Sequence, residues 1–422
     1  MLNKTRLLLC SLLLAHNVMA QPAPAGNTDL PLDELRLFSE VFHQIRENYV
    51  SEVSDRQLLE YAIEGMLDNL DPHSAYLNRE DFLALQENTS GEFGGVGLEV
   101  TMENGLLRII TPIDDTPAQR AGILAGDVIV RIDKKALKGL SLGESIDLMR
   151  GPAGSDITLT LLREGQKKPL EITLKRAVIR IDSVKSRIIA EHYGYLRIAQ
   201  FQNATASDAD KQIRQMLKAS NDDLRGLVLD LRNNPGGVMT AAVDLADLFL
   251  TEGLIVYTEG RSDDSREEFF ATASSLLPDK PIVVLINSGS ASASEIVAGA
   301  LQDRRRALIV GVRSFGKGSV QTILPLPEER AIKLTTARYF TPMGRSIQAE
   351  GIVPDIIAQS ATLTPDDITE DFREANLAGH IDNNRATGKD KPPTDELAAD
   401  DYPLHEAINL LRAMQFGMGQ SD

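Results

Sequence analysis

Cysteine is almost missing: the chain has one, Cys10, in 422 residues. That excludes a disulfide framework and a zinc site built on thiolates. Positive charge is also short. Lys and Arg number 44 against 61 Asp and Glu, a net charge of −17. Binding to phosphate backbones needs a basic surface, so no nucleic-acid partner is expected. No run approaches the roughly 20 apolar residues of a membrane-spanning helix. No internal repeat is visible. The rest is average: 42% hydrophobic and 25% charged residues, the balance of a folded globular chain of roughly three domains.

Residues 1–20 read as an export signal. Lys4 and Arg6 give a positive start, residues 7–14 are a short apolar run, and Val18-Met19-Ala20 is a cleavage site. Cleavage after about Ala20 is expected, with an exported, soluble, periplasmic product. A retained membrane anchor is the competing reading. Cys10 sits inside the apolar run behind bulky Leu9, which argues against a lipoprotein.

Residues 21–30 read as a flexible leader, and 31–91 as a helical region. There Leu35, Phe38, Phe42, Ile45 and Tyr49 recur at helical spacing, as do Leu59, Ile63, Met66 and Leu70. Residues 92–178 change character. Short alternating segments at 106–110, 128–132, 157–162 and 170–174, with a helical stretch at 142–149, predict a compact β-rich module. From 179 to 360 strands and helices alternate. Residues 226–231 and 282–286 are short apolar runs, as in strands buried on both faces, so an α/β core is expected. Residues 361–422 form a polar tail, with a loose linker at 381–401 and a last helix at 402–416. That helix carries Leu404, Ile408, Leu411 and Met414 on one stripe. Subunit contacts are expected from this stripe and from the helices at 33–70.

The strongest chemical signal is Asn287-Ser-Gly-Ser-Ala-Ser-Ala-Ser-Glu-Ile296, which follows a buried strand and opens a helix. A Ser at that corner has free N–H groups and the positive end of the helix dipole beside it. Ser292 and Glu295 also fit a plain capping box, S-x-x-E, and the segment alone leaves both readings open. A nucleophilic Ser needs a base. His43, His73, His192, His380 and His405 occupy no recognisable triad setting. A neutral Lys is the alternative, since burial without a carboxylate partner brings its pKa down from about 10.4. Lys317 is the candidate. Gly311-x4-Gly316-Lys317 nearly matches a nucleotide-binding loop, but Gly318 stands where Ser or Thr must hold magnesium, and a strand pattern follows. Asp230-Leu-Arg-Asn-Asn-Pro-Gly-Gly237 closes a strand with a glycine turn that could expose N–H groups. Gly94-Gly-Val-Gly-Leu98 lacks the third Gly of a dinucleotide fingerprint, but can present N–H groups to a carboxylate.

Together these segments resemble the carboxyl-terminal processing (tail-specific) serine peptidases. The likeness spans residues 30–357. Leu70-Asp-Pro-His-Ser-Ala-Tyr-Leu77 and Thr89-Ser-Gly-Glu-Phe-Gly-Gly95 are similar to the family's opening region. Gly95–Leu98, Thr116-Pro-Ala118 and 126–132 are similar to its PDZ domain. Residues 230–237, 290–295, 316–318 and 336–348 are similar to its peptidase core.

The resemblance implies an α+β multidomain fold, with a crotonase/ClpP-like α/β peptidase core, an inserted PDZ domain and terminal helical segments. It implies Ser292 as nucleophile, Lys317 as general base and Gln321 as the residue orienting that Lys. The N–H groups of Ala293 and of Gly236 or Gly237 would form the oxyanion hole. Gly95, Val96, Gly97 and Leu98 would receive the substrate's terminal carboxylate. No metal and no cofactor are implied. The implied partners are protein substrates with free C-termini, further copies of the chain in a homo-oligomer and, as for some periplasmic members, a lipoprotein adaptor. The rival reading is a PDZ binding protein on a catalytically silent scaffold. The intact Ser292, Lys317 and Gln321 set argues against it.

Overall fold

A computed structural model describes residues 30–418 except 104, 273–274, 362–380, 382–396 and 398–399. The expected export signal, its cleavage site, nearly all of the leader and most of the linker lie outside the described residues. The described residues divide into two compact units, one up to Met66 and one from Leu67 on.

The first unit carries the helix Leu32–Asn48 and most of the helix Asp55–Asp68. The first helix buries none of its residues, so Leu35, Phe38 and Ile45 of its apolar stripe stay exposed.

In the second unit, the β-rich module is a sheet of Leu98–Glu103, Leu106–Pro112, Val128–Ile132, Asp156–Leu162 and Leu170–Lys175, in that spatial order. Alternation drives it. Leu107 and Ile109, and Ile157, Leu159 and Leu161, alternate into one core, which Ile129 and Ile132 join across a register shift. The helix Leu142–Met149 starts on a capping box, with the Ser141 N–H donating to Glu144 Oε2 at 2.7 Å. The strands Glu92–Gly95 and Ala177–Arg180 pair with each other at the module's entrance and exit.

The α/β core is a six-stranded sheet ordered Val184–Ile189, Tyr193–Ile198, Gly226–Asp230, Ile282–Ile286, Leu308–Gly311 and Ile356–Ile357. Its first pair is antiparallel and the rest are parallel. Every residue of Gly226–Asp230 and Ile282–Ile286 is buried, because helices cover both faces. The helices Thr205–Ala219, Met239–Asp247 and Ala293–Asp303 pack on Leu227, Leu229, Ile282, Val284 and Ile286. The last helix, Tyr402–Met418, packs on the alternate residues Val228, Val283, Leu285 and Val310.

That packing corrects one expectation. Leu404, Ile408 and Leu411 are 1%, 2% and 0% exposed within the chain itself, so their stripe is not a free subunit seam. The sheet's second face needed a cover, and the helix supplies it. A second sheet joins Ala75–Leu77, Arg330–Phe340, Leu254–Gly260 and Glu267–Phe270, with Ser319–Leu326 also paired to Arg330–Phe340.

Candidate active site

The strand Ile282–Ile286 ends in a turn that leads to Ser292, the N-cap of the helix Ala293–Asp303. Ser292 has φ +56° and ψ −115°, a left-handed conformation that costs a non-glycine residue about 1–3 kcal/mol. The neighbouring turn holds it there. Ala291 N–H and Ser294 Oγ both donate to the Asn234 carbonyl at 3.0 Å, and Ser290 Oγ donates to the Leu231 carbonyl at 2.8 Å. The two turns predicted to carry the site, 230–237 and 287–294, are thus stitched together.

Glu295 ties in a third segment. Its carboxylate is fully buried and accepts four hydrogen bonds. They come from Ser292 N–H at 2.8 Å, Ser314 Oγ at 2.6 Å, Gly316 N–H at 2.7 Å and Lys317 N–H at 2.9 Å. Burial pushes its pKa up, and the four donors oppose that shift. One side chain therefore fixes the backbones of both Ser292 and Lys317. The S-x-x-E spacing carried half of this signal, the bond to Ser292, but not the bonds to 314–317.

Lys317 and Ser292 line one cavity of about 360 Å³, and Gln321, Gly237 and Tyr339 line it with them. Burial holds the Lys317 ammonium below its ordinary pKa, and the charge of Lys333 adds to that. Asp71 pulls the other way. Tyr339 is buried, and its hydroxyl donates to the Lys317 carbonyl. The Gln321 amide donates to Ser319 Oγ at 2.9 Å and to Thr335 Oγ1 at 3.2 Å. Thr335 Oγ1 in turn donates to Asp71 Oδ1 at 3.1 Å. His73, set aside in the sequence, sits close enough for the Lys317 charge, after burial, to hold its imidazole pKa down.

The glycines separate by their bonds. Gly236 has φ +102°, and a Cβ there would lie 2.7 Å from Ser292 Cβ, so only glycine fits. Its N–H is already spent on Asn234 Oδ1 at 2.9 Å. Among the described residues, the N–H groups of Gly237 and Ala293 have no acceptor. No cluster of His, Cys, Asp and Glu able to hold a metal occurs among the described residues.

In the β-rich module, Gly95 ends the strand Glu92–Gly95 opposite Ala177. The Val96 carbonyl accepts from Ala118 N–H at 2.9 Å, and that of Gly97 from Ile113 N–H at 3.0 Å. Gly97 has φ +81°, and a Cβ would meet Thr116 at 2.3 Å. Among the described residues, the strand that Leu98 begins pairs on one side only, with Leu106–Pro112, which leaves an edge open there.

Comparison with known proteins agrees with this architecture. Residues 192–358 match peptidase family S41, 94–174 match the PDZ domain, and 14–81 match the N-terminal domain of the activating protease CtpB. The chain is 48% identical over 406 residues to a carboxy-terminal-processing protease of Bartonella bacilliformis, covering 94% of this chain and 92% of that one. It is 38% identical over 333 residues to a carboxyl-terminal-processing protease of Synechocystis, with 77% of each chain covered. Among solved structures, the photosystem II D1 C-terminal processing protease is 33% identical, covering 77% of this chain and 93% of that one, with a TM-score of 0.45. With one relative 48% identical over 94% of this chain and 92% of its own, and another 38% identical over 77% of each, the chain belongs to the carboxy-terminal-processing proteases, peptide-bond hydrolases with an S41 peptidase domain and a PDZ domain.

Proposed function

We propose that the protein is an exported serine endopeptidase that reads substrate C-termini and processes or degrades periplasmic proteins with a Ser292–Lys317 pair. One observation carries the reading. A Ser in a strained, left-handed conformation heads a buried helix and shares a cavity with a partly buried Lys that forms no salt bridge among the described residues. Neutral Lys317 takes the proton of Ser292 Oγ as that oxygen attacks the peptide carbonyl. The tetrahedral oxyanion accepts from the N–H groups of Gly237 and Ala293. Lys317 then passes the proton to the departing amine as the C–N bond breaks. Water hydrolyses the acyl-enzyme by the same route. Gln321, which lines the same cavity, orients the neutral Lys317.

Residues 92–178 are assigned to the PDZ domain and 179–360 to the peptidase core. The loop Gly95-Val96-Gly97-Leu98 takes the terminal carboxylate, and the open strand edge pairs with the tail behind it. The apolar start and the cleavage pattern after Ala20 support export to the periplasm, and no helix among the described residues is long and apolar enough to cross a membrane. The exposed stripe of Leu32–Asn48 suits a second copy of the chain. A lipoprotein adaptor enters only through the resemblance to periplasmic members.

The test is cleavage of an unfolded protein by the full chain. Ser292→Ala and Lys317→Ala should each abolish it while leaving the fold intact, and the double variant should be little worse. Near-normal proteolysis by Lys317→Ala would sink the assignment. C-terminal amidation of the substrate should slow cleavage about tenfold, since charge-assisted hydrogen bonds to a carboxylate contribute roughly 1.5–3 kcal/mol. Equal rates for free and amidated tails would remove the loop from recognition.

A further inference from the structure

We propose that Asp401, at the start of the last helix, is a positioning residue for the oxyanion turn and acts through Arg232. The proposal rests on the reading of Gly237 as an oxyanion donor. Arg232 meets Asp401 in a bidentate pair, Nη1 to Oδ1 and Nη2 to Oδ2, both at 2.8 Å. The same guanidinium bonds Asp230, with Nε 3.0 Å from Oδ1 and Nη2 2.6 Å from Oδ2. The Arg232 N–H also donates to Asp230 Oδ1, at 2.9 Å.

Asp230 is 1% exposed and takes further bonds from Tyr195 Oη at 2.8 Å and Arg197 Nη1 at 3.1 Å. Arg197 also donates to the Arg232 carbonyl. Two carboxylates and two guanidinium groups thus close into a neutral network around one backbone segment. Removing Asp401 leaves a surplus positive charge on a largely buried Arg, which then must shift or draw in water.

The shift has a short path to the chemistry. Arg232 lies two residues before Asn234. The Asn234 side chain holds Gly236 N–H and, at 3.0 Å, the Ile198 carbonyl. Its backbone carbonyl holds Ala291 and Ser294. Movement of the 230–234 backbone therefore reaches Gly237 and the turn before Ser292 together.

Asp401 is itself fixed. Its Oδ1 accepts from Leu404 N–H at 3.2 Å, its carbonyl from His405 N–H at 3.0 Å, and its own N–H donates to the Leu397 carbonyl at 2.8 Å. Burial of Leu404, Ile408 and Leu411 on the sheet brings it to Arg232, so docking of the helix and fixing of the turn are one event. The peptidase-family match ends at 358, so a residue well outside the matched domain helps set the site.

The test uses the full chain and a short peptide substrate. It reads kcat and KM, together with affinity for a peptide aldehyde, which forms a tetrahedral adduct. Asp401→Asn keeps the shape and removes the charge. It should lower kcat about tenfold, leave KM nearly unchanged and weaken aldehyde binding by the same factor. Asp401→Glu should recover most of the loss. Arg232→Lys, which keeps the charge but cannot form the fork, should behave like Asp401→Asn. Unchanged kcat and aldehyde affinity in Asp401→Asn would overturn the proposal. So would a loss that tracks the unfolded fraction in a melt recorded in parallel. Ser292→Ala in the same assay separates the two levels. If it is dead while Asp401→Asn is normal, only the positioning role falls. If it still cleaves, the Ser–Lys reading falls and takes this proposal with it.

Discussion

Among the described residues, two Ser-x-x-Glu boxes stand at helix starts, Ser141–Glu144 in the PDZ module and Ser292–Glu295 in the peptidase core. Both place a Glu carboxylate on the N–H of its Ser, at 2.7 Å and 2.8 Å. Beyond that bond they differ throughout. Ser141 has an ordinary extended backbone with φ −71°, and Glu144 is exposed. Ser292 has φ +56°, and Glu295 is fully buried with three further donors from 314–317. The first box caps the start of a helix. The second uses the same local bond to lock a strained Ser to a distant Lys loop. Spacing specifies the bond between i and i+3, but what surrounds that bond is set by the tertiary fold.

The largest expected difference between the boxes is in activity. Ser292→Ala should reduce proteolysis by roughly 10⁴-fold or more, the scale of losing a nucleophile. Ser141→Ala should cost about 1 kcal/mol of stability, a normal cap deletion, with turnover kept. Rates and melts on the two purified variants check this. Equal, modest losses in both would reduce Ser292 to a cap.

The same contrast explains what could be read in advance. The PDZ strands and the buried core strands were legible because period-2 alternation and short apolar runs are local patterns. The segments carrying Ser292, Lys317, Gly236 and Gly237 were visible for the same reason, as glycine turns after strands. Three things were not. Glu295 reaches Ser314, Gly316 and Lys317 only after the fold closes. His73 approaches Lys317 from a turn far away in sequence, and Lys333 comes across the hairpin that follows Lys317 only once its two strands pair. The stripe Leu404–Leu411 looked like that of Leu32–Asn48, but one found an uncovered sheet face in its own chain and the other remains exposed. Periodicity says that a face is apolar, not what covers it.

A second expected difference, smaller than the first, is in stability. Glu295→Gln substitutes an amide for a carboxylate facing donors only. Its one oxygen can serve the donors on one side, and its NH₂ group then opposes the N–H groups on the other. The Ser314 hydroxyl can rotate, but at least one N–H stays unpaired at about 1–3 kcal/mol, so this variant should lose at least about 1 kcal/mol, along with much of its activity. Glu144→Gln faces solvent and should change stability far less. Urea denaturation of the two variants decides. A Glu295→Gln protein as stable and active as wild type would mean that the four bonds do not organise the site.

The smallest expected difference is one of sign, in how the two Glu residues link stability to pH. For Glu295, burial raises the pKa above its ordinary 4.5. The unfolded chain then gives up this proton at a lower pH than the folded chain does. Its contribution is present below about 4.5 and is lost as pH rises through the folded pKa. For Glu144, the Ser141 N–H and then the Ser141 hydroxyl lower the pKa below the same ordinary 4.5. Its contribution is present above about 4.5 and is lost as pH falls through the folded value. The measurement is the melting temperature of wild type minus that of each Gln variant, followed across the acid range. The gap should narrow with rising pH for Glu295 and with falling pH for Glu144. Subtracting the variants removes every other titrating group common to both proteins, so the two slopes isolate the two carboxylates. Slopes of the same sign would mean that the four donors outweigh burial at Glu295. The carboxylate would then stay ionised through the acid range, and the two boxes would differ in geometry but not in charge.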